Sequence, residues 1–174
     1  MEVRAFDRDT ERGHLTEKVK HKYSDVLRSE LGHCTKAKAS LQLQPGAQPV
    51  FRKKRPVPHA AIEQLDSEID RLVQEGVITA VDHSQWAAPI VAVRKANGSI
   101  RLCADFSTGL NDALMLHRYP LPTMDDVFTK LNGGTIFSQI DFAEAYHQVE
   151  VANDYKELLT INTHKGLFRY NRLP

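Results

Sequence analysis

The chain has 174 residues, 41% of them hydrophobic and 26% charged, with a net charge of +1. That is an ordinary globular composition, enough for one domain or parts of two, and the whole-chain charge argues for no particular partner. Two cysteines, Cys34 and Cys103, without a CxxC spacing, argue against a disulfide framework or a cysteine metal site and favour an intracellular, reducing setting. No apolar stretch approaches the ~18–20 residues of a membrane span, and the N-terminus lacks the apolar core of a signal peptide. The eight histidines form no HxxxH or HExxH pair, which disfavours a histidine metal site.

Charge is unevenly placed. Residues 1–58 carry 13 Lys and Arg against 7 Asp and Glu, whereas residues 59–174 carry 10 against 15. The basic run Arg52-Lys53-Lys54-Arg55 suits either a polyanion contact or a solvated linker.

In chain order, Leu15, Val19, Val26, Leu27 and Leu31 give residues 12–31 a loose helical spacing that stops at Gly32. Leu41 and Leu43 alternate with polar neighbours before Pro45-Gly46, which predicts a short edge strand and an extended arm over 39–52. The clearest helix is 59–76. Ile62, Leu65, Ile69, Leu72 and Val73 fall on one face, Pro58 precedes it and Gly76 closes it. Its other face is acidic and reads as scaffold.

Residues 86–106 read as a β-hairpin turning at Asn97-Gly98. Thr123 can cap a short helix with Asp125 and Asp126 in its first turn and Gly133-Gly134 at its end. A strand is expected over 135–142, with Phe137, Gln139 and Asp141 on its less apolar face. Residues 157–163 and 167–172 suggest a second hairpin around His164-Lys165-Gly166.

An acid that ends a strand on its less apolar face is a good metal-ligand position, although most such acids are caps or surface residues. The surrounding residues supply more. The stretch "FSQIDFAEAYHQV" resembles the first catalytic motif of reverse transcriptases, an aspartate at a strand end followed by Ala-Tyr. "GVITAVDHSQWAAPIVAVRKANGSIRLCADFSTGLNDAL" resembles the fingers hairpin, and "HRYPLPTMDDVFTKLNGGTIFSQIDF" the entry to the palm. "ELLTINTHKGLFRYNRLP" resembles the segment leading to a Leu-Pro-x-Gly turn, and "LQLQPGAQPVFRKKRPVPHA" the arm before the fingers. Their order and spacing resemble the reverse transcriptase of gypsy-like LTR retrotransposon Pol polyproteins, over about residues 24–174.

The resemblance implies an α+β chain, a partial right-hand polymerase fold comprising fingers and the first part of the palm. It implies an N-terminal helix and arm over 1–50, fingers over 51–116, the start of the palm over 117–150, and a fingers/palm hairpin over 151–174. Asp141 matches the catalytic, metal-binding aspartate, with the Phe142 backbone carbonyl as a further metal ligand. Lys95 and Arg101 match the pair that grips the triphosphate of an incoming deoxynucleotide, as cations on a hairpin can. Glu144 and Ala145 match positions whose backbone N–H groups face the triphosphate. Tyr146 matches a steric gate under the sugar, which implies DNA rather than RNA synthesis. Asp105 reads as a hydrogen-bonding partner within the fingers, and Trp86 as packing.

The implied reaction is RNA-directed DNA polymerisation with Mg2+ or Mn2+ on a template-primer. The implied partners are RNA or DNA, deoxynucleoside triphosphates, and the protease, RNase H and integrase of the rest of a Pol polyprotein. No membrane contact is implied. Two departures stand out. Ser107, Thr108 and Gly109 lengthen the segment after Phe106 by about one residue relative to the family pattern. The second metal motif, Tyr-x-Asp-Asp, is absent, so the expectation is a front part of the polymerase that is inactive alone. A non-catalytic nucleic-acid-binding remnant of a retroelement is the alternative.

Overall fold

A computed structural model describes residues 8–27, 30–96, 98–116, 119–135, 137 and 142–174, with side chains from Gly13 onward. The chain divides into two compact units, Met1–Leu31 and Gly32–Pro174. In the first, helix α1 runs Arg8–Lys22. It stops well before Gly32, where the sequence spacing placed its end. The Val26 and Leu27 amides turn back to the Tyr23 carbonyl at 2.9 and 3.0 Å. Leu15, Val26 and Leu27 are exposed, so no buried face rewards continuing the helix through Tyr23-Ser24-Asp25.

The second unit is built on helix α2 (His59–Gln74) and five strands: β1 (Ile78–Val81), β2 (Ala88–Arg94), β3 (Ile100–Ala104), β4 (Thr160–Thr163) and β5 (Gly166–Tyr170). They form one sheet in the order β1-β5-β4-β2-β3. Every pairing is antiparallel except β2 with β4, which is parallel through Ala88↔Ile161 and Pro89↔Asn162. Short helices α3 (Leu110–Ala113) and α4 (Met124–Leu131) complete the mixed α+β architecture. Among the described residues no helix is long and apolar enough to cross a membrane.

Helix α2 forms as its periodicity predicts. Leu65, Ile69 and Leu72 are at most 1% exposed and pack the helix on β3 and β1. Gly76 takes a positive φ of 68° at the C-terminal end, and the Val77 amide returns to the Leu72 carbonyl at 2.9 Å. Val77, Ile78, Trp86, Ile90, Ile161 and Tyr170 continue the core beneath it. The β4–β5 turn is pinned to the other side of α2. His164 Nε2 lies 2.7 Å from Asp66, and Lys165 Nζ donates to Asp70 at 2.8 Å.

Both hairpins form, and the Thr123 cap occurs as expected. Thr123 and Asp126 form a reciprocal capping box at the start of α4. Two expectations differ, and one strand had none. Residues 153–159 form a 3₁₀ stretch, so the second hairpin begins only at Thr160. Strand β1 carried no distinct signal of its own. The arm is extended but makes isolated bridges in place of a strand: Ala39↔Val151, Leu43↔Leu114 and Phe51↔Ala87. Each bridge goes to a different part of the unit, so the arm clasps it rather than extending the sheet. In the strand expected over 135–142, Ile136 and Ser138 to Asp141 lie outside the described residues.

Candidate functional site

The β2–β3 hairpin, the C-terminal half of α2 and the segment 142–147 line a cleft of about 550 Å³. Six of the seven sequence-derived site residues line it: Lys95, Arg101, Phe142, Glu144, Ala145 and Tyr146. The seventh, Asp141, lies outside the described residues.

Each element places its side chains for a local reason. Lys95 closes the hairpin, its amide donating to Ser99 at 2.8 Å. On β3, exposed Arg101 alternates with buried Ile100 and Leu102, so the strand's period of two turns its charge away from the core. Phe142 and Tyr146 are 66% and 67% exposed, large apolar surfaces that no part of the described chain covers. Tyr146 opens a 3₁₀ turn, Tyr146–Gln148, and the Val149 amide donates to its carbonyl at 3.0 Å.

Glu144 is the one described non-glycine residue with a positive φ, 46°. Its carboxylate sits between two partners. Arg71 Nη2 donates to Oε1 at 3.2 Å, and His147 Nδ1 lies 2.8 Å from Oε2. Burial pushes the Glu144 carboxyl upward, but the His147 contact and the Arg71 charge outweigh it and hold it below the usual range. Arg71 also donates to both oxygens of Glu68 at 2.8 and 2.9 Å, and to Glu75 at 2.8 and 2.9 Å. Its pKa is raised, chiefly by the Glu68 hydrogen bonds, so it is a fixed cation.

Below the loop, the His147 ring stacks on Tyr170 with centroids 6.5 Å apart. Tyr170 is 1% exposed, and that burial pushes its phenol upward, so it is neutral. Asp105 sits behind the hairpin, where Ser107 and Arg55 hold its carboxyl below the usual range. Trp86 is packed at 5% exposure.

Sequence reasoning missed Arg71, Glu68, Cys103, Phe106 and His147, all on the cleft wall. A signal existed for Arg71: Glu68 and Glu75 stand at i−3 and i+4 from it, the spacing of helical ion pairs. As a metal site the described cleft does not suffice. Among the described residues no group of three His, Cys, Asp or Glu is placed to hold an ion, and Glu68 and Glu144 are engaged by Arg71.

No protein-family model matches the chain. It is 44% identical over 167 residues to an uncharacterized Caenorhabditis elegans protein, K02A2.6, covering 95% of this chain and 13% of that protein. It is 26% identical over 133 residues to the retrovirus-related Pol polyprotein of the Drosophila melanogaster transposon 412, covering 73% of this chain and 11% of the polyprotein. The chain thus spans only a small part of these relatives. Its fold matches the protease-reverse transcriptase of prototype foamy virus with a TM-score of 0.78 at 18% identity, over 95% of this chain and 22% of that one. A foamy viral protease-reverse transcriptase in complex with an RNA/DNA hybrid matches at a TM-score of 0.74 and 20% identity, over 98% of this chain and 23% of that one. Similar to a Pol polyprotein over most of its length, and folded like part of a viral protease-reverse transcriptase, the chain is a Pol-like, reverse-transcriptase-like segment.

Proposed function

We propose that this segment supplies the arm, fingers and first part of the palm of an RNA-directed DNA polymerase, and that its cleft receives the incoming deoxynucleoside triphosphate. The division is the one the resemblance implies: N-terminal helix and arm over 1–50, fingers over 51–116, start of the palm over 117–150, and the fingers/palm hairpin over 151–174. The observation that carries the reading is the convergence of Lys95, Arg101, Phe142, Glu144, Ala145 and Tyr146 on one cleft. They come from two stretches some forty residues apart, and their spacing alone does not require them to meet.

In this reading Lys95 and Arg101 neutralise the triphosphate from the hairpin side. The Glu144 and Ala145 amides face it from the loop, and the Tyr146 ring lies under the sugar, excluding a 2′-hydroxyl. Asp141, with the Phe142 carbonyl, would contribute to holding Mg2+ or Mn2+, which when bound offsets charge on the reacting phosphate. Two such ions need carboxylates from more than one element, and this chain supplies one matching aspartate. The chain alone is therefore expected to polymerise nothing. Template-primer and the remaining Pol domains are the partners of the complete enzyme.

The test is a primer-extension assay with magnesium. No extension is expected from the 174-residue chain. Robust extension that Asp141→Asn abolishes would refute the claim of inactivity. The nucleotide reading is tested separately by titrating a deoxynucleoside triphosphate. Lys95→Ala and Arg101→Ala should each weaken binding by roughly tenfold, the scale of one charge-assisted contact.

A second reading, a non-catalytic nucleic-acid-binding remnant, draws on exposed Lys53 and Lys54 beside an open groove along the β4–β5 turn. It requires binding to nucleic acid that weakens steeply as salt rises. Absence of binding at low salt would exclude it.

A further inference from the structure

We propose that Arg71 is a positioning residue for the cleft, clamping Glu144 so that the loop Phe142–Tyr146 keeps the turn that sets Ala145 and Tyr146 on the cleft wall. This inference rests on the nucleotide reading of the cleft and adds a residue that the reading did not contain.

Three observations converge on it. First, Glu144 holds a left-handed backbone conformation, φ 46°, which costs a residue with a Cβ free energy that its surroundings must offset. Second, what grips its side chain is built into the helical frame. Arg71 extends from α2 between the fully buried Ile69 and Leu72, and Glu68 and Glu75 orient its guanidinium from both sides. Third, the charges are lopsided. One guanidinium faces the carboxylates of Glu68, Glu75 and Glu144, with His147 as the other basic group on Glu144 among the described residues. Removing Arg71 therefore does more than delete a contact. Carboxylates that it held together would repel one another, and a strained turn would be free to relax away from α2.

Glycine at 144 separates the two ideas. It reaches φ 46° without the Cβ penalty and carries no carboxylate, so the turn no longer needs the clamp. The experiment is amide hydrogen exchange over 143–149, with the His147 imidazole NMR signal as a second reporter, on the 174-residue chain. Circular dichroism serves as the check on the fold. Arg71→Ala should speed exchange of the loop by about tenfold and shift the His147 signal, whereas Arg71→Lys, which keeps the charge but loses the fork, should fall between. Arg71→Ala combined with Glu144→Gly should return exchange to within about twofold of Glu144→Gly alone.

Unchanged exchange in Arg71→Ala would overturn the proposal, as would a double variant that exchanges as fast as Arg71→Ala. Should Arg71→Ala fail to fold, Glu144→Gln serves in its place: it removes the ion pair from a partly exposed side chain, and unchanged exchange there is equally fatal. A deoxynucleoside triphosphate titration runs beside these measurements. Binding weakened by Arg71→Ala and restored by the double variant supports the role in the cleft. A parent chain that binds no nucleotide while the exchange pattern holds sinks the nucleotide reading and leaves the clamp standing.

Discussion

Replacing Gly109 by alanine would drive a methyl group into Val50. The new Cβ would stand 2.7 Å from Val50 Cγ1, 2.8 Å from its Cβ and 3.1 Å from its Cγ2. Ordinary carbon contacts lie at about 3.5–4.0 Å. Because the overlap includes Val50 Cβ, rotating the side chain cannot relieve it; the backbone of the arm must move. That backbone accepts the Ala87 amide at the Val50 carbonyl, 3.0 Å, and donates from Arg52 to the Ala87 carbonyl, 2.8 Å. The clash thus falls on the contact that seats the arm beside β2. Overpacking of this kind costs roughly 1–3 kcal/mol. At about 4 °C per kcal/mol for a unit of this size, the melting temperature should fall by roughly 4–12 °C. The assay is a thermal melt followed by circular dichroism, with Val50→Gly as the partner variant. The double variant should recover at least about 1 kcal/mol relative to the sum of the singles. A Gly109→Ala chain that melts with the parent, or a double variant that is simply additive, would refute the reasoning.

Three further outcomes follow from other contacts. Asp105 has a folded pKa below its unfolded value of about 4, so its contribution is present above that pH and is lost as pH falls through the folded pKa. Asp105→Asn should therefore melt below the parent at pH 7, with the gap closing in acid; a gap that persists at pH 2 contradicts the assignment. Thr123→Ala removes half of the α4 capping box and should cost the helix about 0.5–2 kcal/mol, seen as lost amide protection over Met124–Leu131. Unchanged protection would show that the cap contributes nothing. Helix α4 presents Met124, Phe128 and Leu131 at 68%, 62% and 45% exposure, an apolar stripe that favours self-association. Phe128→Ser should raise the monomer fraction in sedimentation, and a parent chain that is already monodisperse with a sharp melt would refute this.

What could be read from the sequence was what neighbours in sequence decide. The α2 periodicity, the Thr123 cap and the two tight hairpins depend on residues a few positions apart, and each forms, although the second hairpin starts later than its spacing suggests. The arm's pairing could not be read, because Leu41 and Leu43 alternate like a strand while Leu43 bridges to Leu114 and Ala39 to Val151, far along the chain. The parallel join of β2 to β4 is equally non-local. In the cleft, the resemblance pointed to the hairpin cations and the loop. It passed over Arg71, because a charged face on a well-formed helix looks like solvated scaffold until the loop it touches is placed beside it.

The arm's attachments also set a schedule for synthesis. Ala39 cannot meet Val151, nor Cys34 the Gln148 carbonyl, until more than a hundred further residues have been made. At about 5–20 residues per second, the Cys34–Ala39 end of the arm waits roughly 5–20 s for these partners, although Phe51 can meet Ala87 much sooner. Over that interval α2 and the β2–β3 hairpin can already form from local contacts, while β1 still lacks β5. The far end of the clasp is thus fastened late, and a nascent chain stalled before residue 148 would carry an arm held at Phe51 and Leu43 but open at Cys34 to Ala39, which chaperones can hold.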